Sequence, residues 1–516
     1  MAGMISEVSD RLLVVGLDMG DAGLIEEWSR QGILPTLRSI MMAGTWGRLK
    51  TTAEALHTST WPTIFTGCLP GRHGVYYPYQ PRPGRQQPEH IGPEQYGVPP
   101  LWQILDRAGK RCIILDAPET FPAPGFSGVQ IFEWGTWAWY WKRMTTPAEI
   151  EGQLAEKFSA YPLKLEAKRL GLAMPDLTYL KRQLIAGAAQ KAKITNWLMQ
   201  SYPWDFLLVG FAELHPAGHY LWPQKARVSL GGSASRDDFA APELRDVYAA
   251  VDAAIGEIIK QSGDDVTVFV ISGDGVGPNH CGWHLLPQVL LRSGLTIEPS
   301  FANAANGHSK KPLLRRLRDA IPPRLRSEIS ARLPWQLRNR LAFQLTAANI
   351  DWSQTRAFAL PADLEGCIRI NLCGREPQGI VEPGTQYEDV CSELTEVLEK
   401  LINPLTGRAA VRHVHRIDRL FPGDLRDHLP DLTVIWNDEA EISEVYSDRL
   451  GLVSEASVDP RTGTHYPLSF MGARGPRTQR GEIKGGHIAD LAPTLLSHFS
   501  INPPSEMDGR ALEILR

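Results

Sequence analysis

The sequence has no cysteine framework, no long apolar run and no dominant charge, and each absence removes a class of protein. Its six cysteines (Cys68, Cys112, Cys281, Cys367, Cys373 and Cys391) are scattered without a C-x-x-C spacing. That argues against a disulfide scaffold or zinc ribbon and for a reducing, cytoplasmic location. No apolar stretch is long enough to span a bilayer, and the start, MAGMISEVSDRLLVVGLD, lacks the basic head and long apolar run of a signal peptide. Lys+Arg 54 against Asp+Glu 58 leaves a net charge of −4, which gives no field that would draw a nucleic-acid polymer. What the chain has is length: 516 residues can bury roughly three quarters of the unfolded surface.

Short apolar runs alternate with helical patterns, the signature of a mostly parallel sheet covered on both faces. Leu12–Asp18 reads as a buried strand ending on a carboxylate, and Leu24–Ala43 as helix interrupted at Pro35. Leu101–Ala108 is a helix, Arg111–Leu115 a strand, Phe206–Phe211 a strand, Val247–Gln261 a helix and Val266–Ser272 a strand. Two stretches break this rhythm. Tyr76–Pro99 is rich in Pro, Gly, Gln and Tyr and predicts an irregular surface loop. Residues 310–340 carry ten Lys/Arg against Asp319 and Glu328, with leucines at helical spacing. This predicts a basic helical insertion over 300–350 whose charges are solvated, with contact to an anionic surface as the functional alternative. The tryptophans of the run WGTWAWYW (Trp134, Trp137, Trp139, Trp141) read as core packing before an aromatic wall for a ligand.

Chemistry-bearing residues gather just past the strand ends, where open α/β sheets place their sites. Asp18, His215, His219, Asp274 and His465 are oxygen and nitrogen donors of the kind a two-metal hydrolase collects from distant segments. Asp18 alone is weak evidence, since a strand-end Asp can simply cap a helix, as Asp21 can. A spacing of four puts His215 and His219 on one face of a helix, which suits a shared metal. Thr58, Ser59 and Thr60 precede a helix-like run that stops at Thr66-Gly67. They read equally as helix caps or as hydroxyls placed where a helix dipole eases negative charge.

The segment Thr66-Gly67-Cys68-Leu69-Pro70-Gly71-Arg72-His73-Gly74 matches T-G-x-x-P-x-x-H-G in full. With Glu213–His219, Ser272–Gly275, Gly463–His465, Asp490–Leu495 and Asp508-Gly509, it resembles the type I phosphodiesterase/nucleotide pyrophosphatase branch of the alkaline phosphatase superfamily. The resemblance implies one catalytic domain over 1–516, an α/β alkaline-phosphatase-like three-layer sandwich with a large mostly parallel sheet and inserted elements. It implies a small phosphorylated substrate, two divalent ions and a covalent phospho-enzyme or nucleotidyl-enzyme. Carried over residue by residue, His215, His219 and His465 hold one ion, with Glu213 as a further ligand or orienter. Asp18, Asp274 and the nucleophile hold the other. Zinc is the first expectation, with manganese or magnesium as alternatives at the second site.

The departures from the family pattern fall at the chemistry. A histidine, His215, stands where a carboxylate is usual, Gly273 replaces a ligand, and the nucleophile position lands on His57. The order of nucleophiles that follows is Thr58, then Ser59, then His57, because coordination can deprotonate a hydroxyl. The rival from another class is a non-catalytic descendant that binds a phosphorylated ligand or partner.

Overall fold

The computed structural model describes residues 10–85, 88–92, 95–135, 143–163, 174–223, 242–299, 350–360, 362–455, 457 and 459–515. The basic stretch 310–340, and Trp137, Trp139 and Trp141, lie outside the described residues.

A nine-stranded sheet runs through the molecule in the order Gly481–Ile483, Thr45–Gly47, Met471–Arg474, Thr267–Ile271, Leu12–Leu17, Phe206–Phe211, Cys112–Leu115, Val129–Phe132, Met144–Thr146. From Thr267–Ile271 to Val129–Phe132 every neighbouring pair is parallel. Strands of this kind are buried on both faces, so their sequences are continuous apolar runs without alternation. Leu12–Leu17 is buried throughout. Its odd-numbered residues Leu13, Val15 and Leu17 join one core, and Leu12 and Val14 join the core on the opposite face. Helices Ala22–Arg30, Pro35–Ala43, Leu177–Ser201, Leu214–Leu221 and Pro242–Ser262 cover the first face. Thr60–Thr66, Leu101–Arg107 and Leu491–His498 cover the second. The mixed α/β class with a large, mostly parallel sheet is thus as the alternation of runs implies.

Between Leu285 and Val453 the chain builds a third core, separate from the two on the main sheet. It sits on a four-stranded antiparallel sheet, Ala357–Ala359, Gly366–Ile370, Leu432–Trp436 and Val411–Arg416, packed by helix Thr385–Glu399. A small cluster (Leu56, Tyr76, Phe358, Leu360, Ile417, Phe421) joins this unit to the segment bearing the hydroxyls. The turn between Ala357–Ala359 and Gly366–Ile370 is thereby held against the ends of the main sheet.

The segment from Tyr76 is irregular, as its composition predicts, and exposed at Pro83–Arg85, but parts of it are buried. Tyr76 and Ile91 are buried, Gln80 is 1 % exposed, and Tyr79–Gln80 pairs with Glu89–His90. The Gln80 side chain accepts from the Tyr76 amide and donates to the Gly74 carbonyl, replacing the water that an irregular backbone ordinarily needs. Trp134 belongs to the first core, with the Arg143 guanidinium 4.4 Å above its ring.

Candidate metal centre

The strand Leu12–Leu17 delivers Asp18, and Phe206–Phe211 runs into the helix Leu214–Leu221 that carries His215 and His219 one turn apart. Gly463–Tyr466 brings His465 and pairs with Gly275–Pro278, which follows Asp274. The three histidines offer ring nitrogens that all lie within 4.8 Å of one another.

Each of the three rings is anchored on its far side. His215 Nδ1 lies 2.9 Å from Asp18 Oδ2, His219 Nδ1 2.9 Å from the Gly463 carbonyl, and His465 Nδ1 2.6 Å from Asp274 Oδ2. The approach to Gly463 is close enough that a Cβ there would stand 2.1 Å from the Gly218 carbonyl, so this strand-to-helix contact requires glycine. Anchoring Nδ1 to an oxygen is the usual device that fixes a metal-binding imidazole and leaves Nε2 with its lone pair. His215 Nε2 and His219 Nε2 stand 3.0 Å apart. With both Nδ1 atoms donating, two lone pairs face each other, and a cation between them (a proton or a metal ion) resolves the repulsion. Burial pushes His219 and His465 well below the ordinary imidazole value, and neighbouring histidines push in the same direction. Both effects favour the neutral ring, the form in which an imidazole can bind a metal ion.

The carboxylates play a different part. Asp18 is spent on His215 and on the Trp61 indole, which donates to Oδ1 at 3.0 Å. Asp274 is spent on His465, while its Oδ1 is buried without a well-placed hydrogen-bond partner among the described residues. Burial, with Asp18 nearby, raises Asp274 well above the usual carboxylate range. Gly273 explains the lost ligand. A Cβ at this position would lie 2.6 Å from Thr60 Cβ, so the threonine fills the space that a coordinating side chain would need. The structure therefore brings the three imidazoles together as one donor set. No such set of three forms around Asp18 and Asp274 among the described residues. The three imidazoles thus have the donor chemistry for one metal ion, while Asp18 and Asp274 stand in this structure against the far side of two of those rings.

A further group forms around His57, and its partners were not visible in the sequence. His57 Nδ1 is 2.7 Å from Glu365 Oε1, and the His57 ring stacks on His465 at 4.0 Å with 15° between planes. Burial pulls His57 down, but the Glu365 carboxylate outweighs it and holds the imidazole above its ordinary value. Asp363 lies with His57 and His465 in a second cluster of ring and carboxylate donors, and pairs with Arg461 at 2.7 Å. Arg461 overcomes the burial that would raise Asp363 and holds it below the usual carboxylate range. Asp363 and Glu365 come from the turn of the inserted sheet, and no motif or periodicity marks them. Glu119 was also missed: its Oε2 is buried without a partner among the described residues, and burial with Asp18 and Asp274 raises it well above normal.

The hydroxyl row differs from its expected capping role. His57–Ser59 is a turn of 3₁₀ helix, and Ser59, at the N-cap of Thr60–Thr66, makes no capping bond. Its Oγ donates to the Leu56 carbonyl at 2.6 Å and meets Thr52 Oγ1 at 2.8 Å. Thr58 is buried. His73 accepts from the Val75 amide at Nδ1 and meets Thr63 Oγ1 at Nε2, and burial lowers it to about 3. Glu213 is committed to scaffold: it lies 3.5 Å from the fully buried Lys191 Nζ and accepts from the Tyr161 hydroxyl, while Lys191 also pairs with Asp116 at 3.0 Å. Asn279 donates to the Arg461 carbonyl.

A cavity of about 120 Å³ opens onto this centre, lined by His57, Glu365, His465, Arg412, Trp436 and Tyr466 among others. No helix among the described residues is long and apolar enough to cross a membrane.

Among solved structures, the chain is similar to a multiply substituted PafA alkaline phosphatase (14% identity, 98% and 99% of the two chains covered, TM-score 0.53). It is also similar to phosphonoacetate hydrolase from Sinorhizobium meliloti 1021 in complex with phosphonoformate (12% identity, 95% and 95%, TM-score 0.52). A murine ectonucleotide pyrophosphatase/phosphodiesterase 5 in complex with AMP aligns at 12% identity over 96% of each chain, with TM-score 0.48. The likeness to the first two establishes the alkaline-phosphatase-like fold. No curated protein matches the sequence at a significant level. The profile of the type I phosphodiesterase/nucleotide pyrophosphatase family matches residues 12–465, and the chain belongs to that family of phosphoester hydrolases.

Proposed function

We propose that this chain hydrolyses a phosphodiester or nucleotide-type pyrophosphate bond through a covalent phospho-enzyme, with a divalent ion, zinc first, held by His215, His219 and His465. The observation that carries the reading is the meeting of His215 Nε2 and His219 Nε2 at 3.0 Å while both Nδ1 atoms are committed to oxygens. An ion bound there supplies charge neutralisation for the phosphoryl oxygens and lowers the pKa of an oxygen it holds. Asp18, Asp274 and the Gly463 carbonyl keep the imidazoles in one tautomer and orientation. The cavity beside His57 and His465 accommodates a small leaving group, with Trp436 and Tyr466 as its aromatic walls. The free cysteines, six among the described residues, support a reducing, cytoplasmic location.

The test is hydrolysis of bis-p-nitrophenyl phosphate by the purified protein with added zinc or manganese, and again with chelator. Turnover that follows the metal is expected. Absence of turnover with every metal overturns the reading and favours a descendant that only binds a phosphorylated ligand, a reading that Gly273 supports.

A further inference from the structure

On the hydrolase reading above, we propose that the covalent intermediate forms on Nε2 of His57, and not on Thr58 or Ser59. Three observations converge on this imidazole. The cavity that reaches the centre is lined by His57, Glu365 and His465, and neither Thr58 nor Ser59 lines it. Glu365 grips His57 twice, at the backbone amide and at Nδ1. Nδ1–H is thereby committed as a donor to a carboxylate that also favours the protonated ring, so attack requires the neutral ring, in which the proton lost is the one on Nε2 and the lone pair stands there. The stack on His465 at 4.0 Å fixes the plane of the ring beside a histidine of the metal centre. Ser59, by contrast, is 0 % exposed and its hydroxyl is bonded to Leu56 and Thr52.

The bonds balance without a further reagent. The Nε2 lone pair forms an N–P bond as the P–O bond to the leaving group breaks, and that oxygen keeps the electron pair and takes a proton from water. The phosphoryl-imidazole retains Nδ1–H, and the positive charge developing on the ring is met by the Glu365 carboxylate. Water then attacks phosphorus, the N–P electrons return to Nε2, and the proton released goes to solvent. Glu365 is a positioning residue, acting through His57.

The linkage distinguishes the candidates chemically. A phosphohistidine survives alkali and is lost in acid, whereas a phosphothreonine or phosphoserine survives acid and is lost by elimination in alkali. The zinc-loaded full chain, quenched in alkali during turnover of bis-p-nitrophenyl phosphate and analysed by intact mass and peptide mapping, is expected to carry an adduct on His57 that acid removes. An acid-stable, alkali-labile adduct on Thr58 or Ser59 overturns the proposal, as does metal-dependent turnover with no adduct on His57. In either of those cases the hydrolase reading stands. Absence of any turnover removes both. His57→Gly is expected to lower turnover by at least about 10²-fold, to keep its metal content, and to regain activity with added imidazole. Thr58→Val is expected to keep most of its activity, and its inactivation with metal retained overturns the proposal. Glu365→Gln is expected to slow adduct formation without changing metal content. The trapping experiment uses the unaltered protein, so it decides the matter even where the His57 variant fails to fold.

Discussion

The two halves of the centre are built by different parts of the chain and obey different rules. On one side His215, His219 and His465 stand on the main sheet's own elements, each ring anchored to an oxygen and each Nε2 left toward its neighbours. On the other side His57 and Asp363 meet only because the turn of an inserted sheet is packed onto the segment before Thr60–Thr66. The first half is a set of three ring-nitrogen donors, the set proposed above to hold a cation. The second pairs an imidazole with a carboxylate (His57–Glu365) and a carboxylate with a guanidinium (Asp363–Arg461), so much of its charge is balanced within the protein. A metal site is therefore specified by what its ligands do with their second atoms, and counting donors near a strand end does not reveal this.

The comparison breaks most visibly at His219. Replacing it by alanine is expected to abolish the metal site and lower turnover on the order of 10³-fold or more, read by metal analysis and by hydrolysis. Retained metal would mean that the imidazole half is not the binding half. Beneath that half, Lys191 is wholly buried between Asp116 and Glu213 and donates to the Gly210 carbonyl at 2.7 Å. Lys191→Met should cost about 3–5 kcal/mol in denaturant unfolding, because two buried carboxylates lose their cation.

Asp274→Asn sharpens the question of metal number. With one ion per chain and Asp274 acting only on His465, the substitution should weaken metal affinity about 10–100-fold while the ion count of the saturated protein stays at one. A fall from two ions to one would instead make Asp274 a ligand.

A further effect, confined to acid pH, lies away from the centre, at His73. Its buried imidazole is lowered to about 3, against about 6.5 for an unfolded histidine. Between those values the unfolded chain binds a proton that the native chain refuses. Stability is therefore undiminished above pH 6.5 and falls by about 1.4 kcal/mol per pH unit as pH drops towards 3. His73→Gln should flatten that slope, measured by urea unfolding at several pH values, and an unchanged slope would show that His73 does not set it.

How much of this was legible depended on whether a residue's role was local. The strand Leu12–Leu17 and its terminal Asp18, and the strand Phe206–Phe211 before the histidine pair, are written as apolar runs ending on a polar donor. The four-residue spacing of His215 and His219 puts them on one helical face wherever the helix lies. The Tyr76–Pro99 segment misled because Pro, Gly and Gln signal irregular backbone, not exposure. Gln80 satisfies buried amide and carbonyl groups that composition alone assigns to water. Asp363 and Glu365 sit in a short turn between buried strands, 306 and 308 residues beyond His57, and no local signal marks such a pairing.

By itself the sequence determined the α/β class, the family and the donors that end the central strands, because periodicity and motif are properties of neighbouring residues. Tertiary structure alone decided which donors lie together and that Asp18 and Asp274 meet His215 and His465. It alone decided that Thr60 occupies the space beside Gly273 and that His57 faces Glu365. Those outcomes depend on distances of about 3 Å between segments far apart in the chain, and only strand order and the packing of elements onto the sheet set them.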